Sequence, residues 1–351
     1  MRSAKRIWLV GGIPLLLAAA AASTLTGCGA KPGARAYANV PRLRAVLQAQ
    51  REGVFAFSAS EVSARLSEQE RAEVQARIAR TLGAKAIGFD RIKDIEVSGD
   101  RFTIRTRAQD EADQKAQGSK IRAALAQAFP KIRVLSSSMR QITHAELVES
   151  RRIIENRARN LGLDSVVVQT QPPDRIVVEL LDLRGSQQAL RAIETTAQLE
   201  LRHVPRQYEA EVEPSSAGVP GRVTFIDQAG NEVPESQVVA ESPVIVRGDQ
   251  LRPNAEVNDA SDHPVIVFEL KAKGADAFWR FTRSHRGQYI AIVLDGQIIS
   301  APKVMAAIRS RGVIMGPRTE AEARQLASLL NSGALPLPLE QIESHVVKPR
   351  R

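Results

Sequence analysis

Three helix-start signatures of the form Ser/Thr-x-x-Glu punctuate this chain, at Ser67–Glu70, Thr143–Glu146 and Thr319–Glu322. In each the hydroxyl can accept an amide of the first turn while the glutamate reaches back to the cap. After Ser67 the apolar residues Val74, Ile78 and Leu82 recur every fourth position and Gly83 offers a stop. Short β-type runs surround that helix. Val54 to Phe57 reads as a strand, Ile92 to Val97 and Phe102 to Thr106 as a hairpin about Ser98-Gly99-Asp100, Asp110 to Phe129 as a second helix, and Ile132 to Leu135 as a last strand. The order β-α-β-β-α-β is that of the split βαβ, or ferredoxin-like, arrangement.

The order then nearly repeats. Leu147, Ile154, Ala158 and Leu161 form one helical face ending at Gly162, Val166 to Gln169 and Arg175 to Leu180 read as strands, Ser186 to Thr195 as a helix and Ala197 to Arg202 as a strand. From Pro205 to about Asp262 the composition shifts to Pro, Gly, Ser and acids, which predicts a loop-rich β region. Pro264 to Leu270 is a strand, Gly274 to Ser284 a helix with Phe278 and Phe281 inward, and Tyr289 to Ser300 a hairpin whose Asp295-Gly296 suits a type I′ turn. The Thr319 cap opens a helix carrying Ala323, Leu326 and Leu330, and the alternating prolines make residues 334–339 extended. The predicted fold class is α+β, with tandem ferredoxin-like units, the second interrupted by an inserted β-rich α+β subdomain.

The N-terminus carries a different signal. Arg2, Lys5 and Arg6 precede an apolar run from Ile7 to Ala22, and Leu25-Thr26-Gly27-Cys28 follows. Basic tip, apolar middle and small residues before a cut describe a secretory signal over residues 1–27. The run is short for a bilayer span and holds Gly11, Gly12 and Pro14. Leu25-Thr26-Gly27-Cys28 resembles the bacterial lipobox, which implies lipidation of Cys28 after cleavage. Cys28 is the only cysteine, so no disulfide can form within the chain. Residues 28–52 read as a tether, with a short helical pattern from Pro41 to Gln50.

The net charge is +10, of which the first 27 residues supply +3. The remaining positive charge is interleaved with acids, as in Arg151-Arg152-Ile153-Ile154-Glu155, and aromatic residues make up only 4% of the chain. That pattern is a solvated surface and argues against a nucleic-acid partner. The five histidines are scattered, with no His-x-x-x-His pair, and there is neither a Gly-x-Ser-x-Gly elbow nor a phosphate-binding loop. No metal, cofactor or catalytic residue is predicted, Asp295 being read as turn chemistry, and the chain is expected not to be an enzyme. Trp279 falls off the face formed by Phe278 and Phe281, which makes it the candidate for an exposed peptide contact.

Several blocks in order resemble SecD, the protein-export accessory subunit. They are Ile154-Glu155-Asn156-Arg157, Leu161-Gly162-Leu163, Asp174 to Leu180, Thr196 to Arg202, Ile290 to Pro302, Glu322 to Ala327 and Ser332 to Leu339. The resemblance covers about residues 146–345. It implies the family's first extracytoplasmic domain, a ferredoxin-like base carrying an inserted head that contacts preproteins and swings against the base. Transferred to this chain it gives an N-terminal ferredoxin-like domain at 53–140, a base at 143–204 and 313–347, and a head at 205–312. The family's Gly-Leu-Asp-Leu-x-Gly-Gly segment is not visible, and Arg51-Glu52-Gly53-Val54-Phe55 stands in that region. A lipobox signal replaces the first membrane helix, and the sequence ends where the family continues into its membrane bundle, so no proton-driven motor is expected. The expectation is an extracytoplasmic lipoprotein, anchored to a membrane through Cys28, that binds exported unfolded polypeptides or Sec translocon components. The alternative is an envelope structural or assembly lipoprotein reusing the fold for another partner.

Overall fold

The structure, a computed structural model, describes residues 41–163, 166–181, 190–191, 193–212, 223–260, 263–315 and 319–348. The predicted signal segment, Cys28 and residues 186–189 and 192 of the predicted helix 186–195 lie outside them. Strand β1 (Arg42–Ala49) occupies the predicted tether and short helical pattern. Its residues alternate, with Leu43, Ala45, Leu47 and Ala49 buried, as expected of a strand with one face on a core.

The first α/β unit follows. It comprises β2 (Glu52–Ala59), α1 (Glu68–Lys85), β3 (Ile92–Ser98), β4 (Arg101–Arg107), α2 (Glu111–Ala128) and β5 (Ile132–Met139). The sheet order is β3-β4-β2-β5, with every neighbour antiparallel. Both predicted features of α1 are present. Ser67 Oγ accepts Glu70 N at 3.2 Å, and Glu70 Oε2 accepts Ser67 N at 2.8 Å. Phe55, Phe57, Phe102, Phe129, Ile78 and Leu125 build its core. Among the described residues, most of the fully buried aromatics stand here.

Next come α3 (His144–Asn160), β6 (Val166–Gln171) and β7 (Arg175–Leu180). The chain then enters a larger subdomain. Its central sheet uses β8 (Leu199–His203), and a hairpin of β9 (Tyr208–Val212) and β10 (Val223–Asp227) is followed by α4 (Glu235–Glu241) and β11 (Val244–Arg247). Beyond these lie β12 (Glu256–Ala260), β13 (His263–Glu269), α5 (Ala272–Ser284), β14 (Ile290–Leu294), β15 (Gln297–Ser300), β16 (Arg311–Met315) and α6 (Glu320–Ser332). The sheet order β11-β8-β14-β15 puts β14 inside. Ile290 and Ile292 face a core with α5 and α6, while Ala291 and Val293 face a second core with the β9–β10 hairpin and α4. Burial on both faces explains why β14 reads as an unbroken apolar run.

The last of the described strands, β17 (Leu339–Val347), returns to pair with β1. The sheet is β17-β1-β7-β6, all antiparallel. Leu47, Ile154, Val178, Leu190, Leu335 and Leu337 sit in its core.

Three placements differ from the sequence reading. The two α/β units are nested and not tandem, because β1 precedes the first unit yet lies inside the second sheet. Leu199–His203, assigned to the base, is a strand of the head sheet. Helix α6, also assigned to the base, packs Ala323 and Ala327 into the head core, and Leu326 is only partly buried against that core. Pairing and packing thus tie β8 and α6 to the 205–312 segment. Its loop-rich stretch also holds α4, which was not anticipated.

Candidate functional site

The two crossings between base and head meet at one side chain. Arg157, in the last turn of α3, is 2% exposed. On the outgoing crossing its Nη1 donates to Ile193 O at 3.0 Å and to Thr195 O, and Nη2 donates to Thr196 O at 3.3 Å. On the returning crossing Nη2 donates to Gly333 O at 2.9 Å and Nε to Ser332 Oγ at 3.1 Å. Burial pushes the guanidinium down to about 10, still well above neutrality, with the Asp295 carboxylate opposing the shift. A fork of fixed N–H donors is what five converging acceptors require. Position 157 falls on the apolar face that carries Ile154 and Ala158. A charged residue in a core-facing register was the signal in the sequence that this residue is special.

Asp295 completes the junction. Asp295 and Gly296 have φ of +52° and +84°, as a type I′ turn demands. The Asp295 carboxylate accepts Gln198 N at 2.9 Å and Ala197 N at 3.1 Å. Burial raises its pKa while these amides lower it. Both oxygens are thus engaged in holding the crossing strand.

On its other side the head meets the first α/β unit. Ala240 of α4 joins that unit's core cluster. A chain of alternating charges runs beside it. Arg105 Nη1 lies 2.9 Å from Asp94 Oδ2, which also receives Arg247 Nη2 at 2.9 Å. Arg247 Nη1 reaches Glu200 Oε1 at 2.7 Å, and Glu200 Oε2 accepts from Arg202 Nε at 2.7 Å. Glu241, fully buried, accepts Tyr208 Oη and Gln207 Nε2 at 2.9 Å each and Gln237 Nε2 at 3.0 Å, with Arg80 of α1 3.7 Å away. Burial pushes the Glu241 carboxyl upward.

Between α1, β3 and the head lies a cleft of about 960 Å³. His203, Phe281 and His285 line it, with Phe281 and His285 stacked at 4.2 Å and His203 edge-on to Phe281 at 4.9 Å. With its amide turned to satisfy both neighbours, Gln288 donates to His203 Nε2 at 2.6 Å and accepts from Arg206 at 2.9 and 3.1 Å. Burial pushes His203 down to about 4, so it is neutral at physiological pH.

Trp279 is not in this cleft. It is partly buried on α5, with the Arg283 and Arg309 guanidiniums 4.8 and 5.3 Å from its ring. Cys28 lies outside the described residues. Among the described residues no cluster of His, Cys, Asp or Glu could hold a metal ion, and no helix is long and apolar enough to cross a membrane.

Comparison with known proteins places this geometry. Residues 147–206 match the family model of the SecDF P1 domain, N-terminal part, and residues 224–337 match the SecDF P1 head subdomain. The second segment takes in α6, in keeping with its packing. SecD of Aquifex aeolicus is 33% identical over 201 residues, 57% of this chain and 39% of that protein. SecD of Syntrophobacter fumaroxidans is 30% identical over 223 residues, 62% of this chain and 42% of that protein. SecD of Rhodobacter capsulatus is 28% identical over 317 residues, 88% of this chain and 51% of that protein. A solved structure of SecDF in a super-membrane-facing form aligns over 59% of this chain and 29% of its own, at 28% identity and a TM-score of 0.48. The matched segments make residues 147–206 and 224–337 similar to the P1 domain of the SecD type. The chain is a SecD periplasmic-domain-like protein, and it spans about two fifths of the length of the first two relatives.

Proposed function

We propose that this chain is an extracytoplasmic SecD-like lipoprotein that binds exported unfolded polypeptides or Sec translocon components and assists translocation by binding, without catalysis. The observation that carries this reading is the succession of P1 and P1-head segments, which the Arg157 junction ties together. The lipobox at Leu25–Cys28 supplies the anchor in this proposal. We also read both α/β units as ferredoxin-like, one nested within the other, on the strength of their strand orders.

Two experiments test the proposal. A photo-crosslinking residue at Lys273 or Trp279 of the full chain, in membranes carrying a stalled preprotein, should give adducts with the preprotein or with a translocon subunit. Adducts with neither would sink the binding role. Cys28→Ser should release the protein from membranes or leave an unprocessed precursor; normal processing and membrane association would remove the anchor.

A further inference from the structure

The cleft beside the head is bordered by the edges of two different sheets. β3 is the outer strand of β3-β4-β2-β5, and β11 is the outer strand of β11-β8-β14-β15. Six consecutive residues, Asp94 to Gly99, line the cleft, as do Pro243, Val244, Ile245 and Arg247. Side chains of a strand alternate between its faces, so an unbroken run along a cavity means that the backbone edge borders it. The free edge of β3 already points to the head, since Lys93 O accepts from Arg202 Nη2 at 3.5 Å. On β11 the ladder passes over Ile245, pairing Val244 with Arg202 and Val246 with Leu201.

Open edges attract further strands, and proteins commonly cover or blunt them. Here both are gathered into one cleft. We propose that the cleft is a strand-addition slot, which takes a short extended segment of unfolded polypeptide against β3, β11 or both. The inference rests on the reading that this protein handles unfolded polypeptide, and it specifies where and how. The Asp94–Arg247 contact closes one end of the slot, while exposed Ser98 marks the other. From Asp94 to Ser98 the edge offers about 16 Å, at roughly 3.3 Å per residue. The lining carries six cationic and six anionic side chains. That balance provides no net field for an anionic ligand and suits a polypeptide recognised through its backbone. The rings of His203 and His285, backed by buried Phe281, give side chains of the added strand a wall of ring faces. β3 lies outside the residues that match the P1 and P1-head models, so the slot needs the first α/β unit as well as the head.

The test uses the full chain and a fluorescein-labelled eight-residue peptide of alternating Val and Thr. The comparison peptide has the same sequence with alternate backbone amides N-methylated. The slot predicts at least tenfold weaker binding of the methylated peptide, and amide protection on adding the unmethylated one at 95–98 and 244–246. Ile245→Pro should weaken the unmethylated peptide at least tenfold; should that variant unfold, Ser98→Pro at the exposed end of β3 serves instead. Equal binding of both peptides, or protection confined to other residues, overturns the slot while leaving polypeptide binding in place. Binding of neither overturns the slot and polypeptide binding together, leaving the translocon-binding role to the crosslinking test.

Discussion

The head touches its neighbours in two ways. At the base, the polar contacts converge on the single buried guanidinium of Arg157, whose acceptors are neutral oxygens of both crossings. At the first α/β unit they are spread along alternating charges, of which Arg247 keeps about half of its side chain in solvent while Asp94 is largely covered. The first arrangement has no substitute: remove the fork and buried acceptors are left without donors. The second is redundant and screened, because Asp94 and Glu200 each have two cations and salt reaches the outer members. The base–head junction is therefore built as a fixed point and the lateral contact as one that can be loosened.

Arg157→Met is the change with the largest expected effect. It should cost about 3–5 kcal/mol, because several buried acceptors lose their donor at roughly 1–3 kcal/mol each. Urea unfolding measures it, and amide exchange should accelerate at 195–198 and 333–335 together. Arg157→Lys should recover only part, since an ammonium has three donors and no fork. A cost under 1 kcal/mol would mean that the crossings are held by packing alone.

His203 gives the next effect. Its native pKa, about 4, lies below the unfolded value near 6.5. As pH falls from about 6.5 toward 4 the unfolded chain takes up a proton that the native chain refuses. Stability is therefore full above that window and lost through it, by about 2 kcal/mol at pH 5. Arg206 and His285, which face the ring, add to the cost of charging it. The pH 7.5 to pH 5 difference in urea midpoint should shrink in His203→Gln; an unchanged difference would place the acid sensitivity elsewhere.

Arg247→Met should cost about 1–2 kcal/mol at low salt and markedly less at roughly 0.5 M NaCl, while the penalty of Arg157→Met should be nearly insensitive to salt. Equal salt dependence of the two would erase the distinction between fixed and loosenable contacts. Thr143→Ala, which removes the cap at the far end of the helix carrying Arg157, should cost about 1 kcal/mol and leave exchange at 333–335 unchanged.

Much of the local structure was legible because it is set by short-range chemistry. The caps at Ser67 and Thr143 close reciprocally as read, and Asp295-Gly296 turns the hairpin with both φ positive. What escaped was membership of sheets. Arg42–Ala49 has a period-2 pattern, but its Leu, Ala, Arg and Gln are also strong helix formers, and its partners lie far along the chain. Helix α6 carries an apolar stripe that fits either core, and the stripe alone does not say which. The site was less legible still. Arg157 could be suspected from its register, whereas Asp94, Arg247 and the facing edges of β3 and β11 are brought together only by how the units dock.

The nesting of the sheets dictates an order of assembly. Ala49 pairs with Leu339, 290 positions later, and both the first α/β unit and the head lie between them. Each of these has its own core and far shorter internal separations, so each can condense while β1 still lacks its C-terminal partner. When the head forms, its own fold brings Thr196 and Leu335 within one hydrogen bond, 2.9 Å, of each other. A contact that would otherwise require closing a loop of 290 residues is thereby cut to about half that separation. The head thereby acts as an internal splint for the base, and β17 can then close against β1.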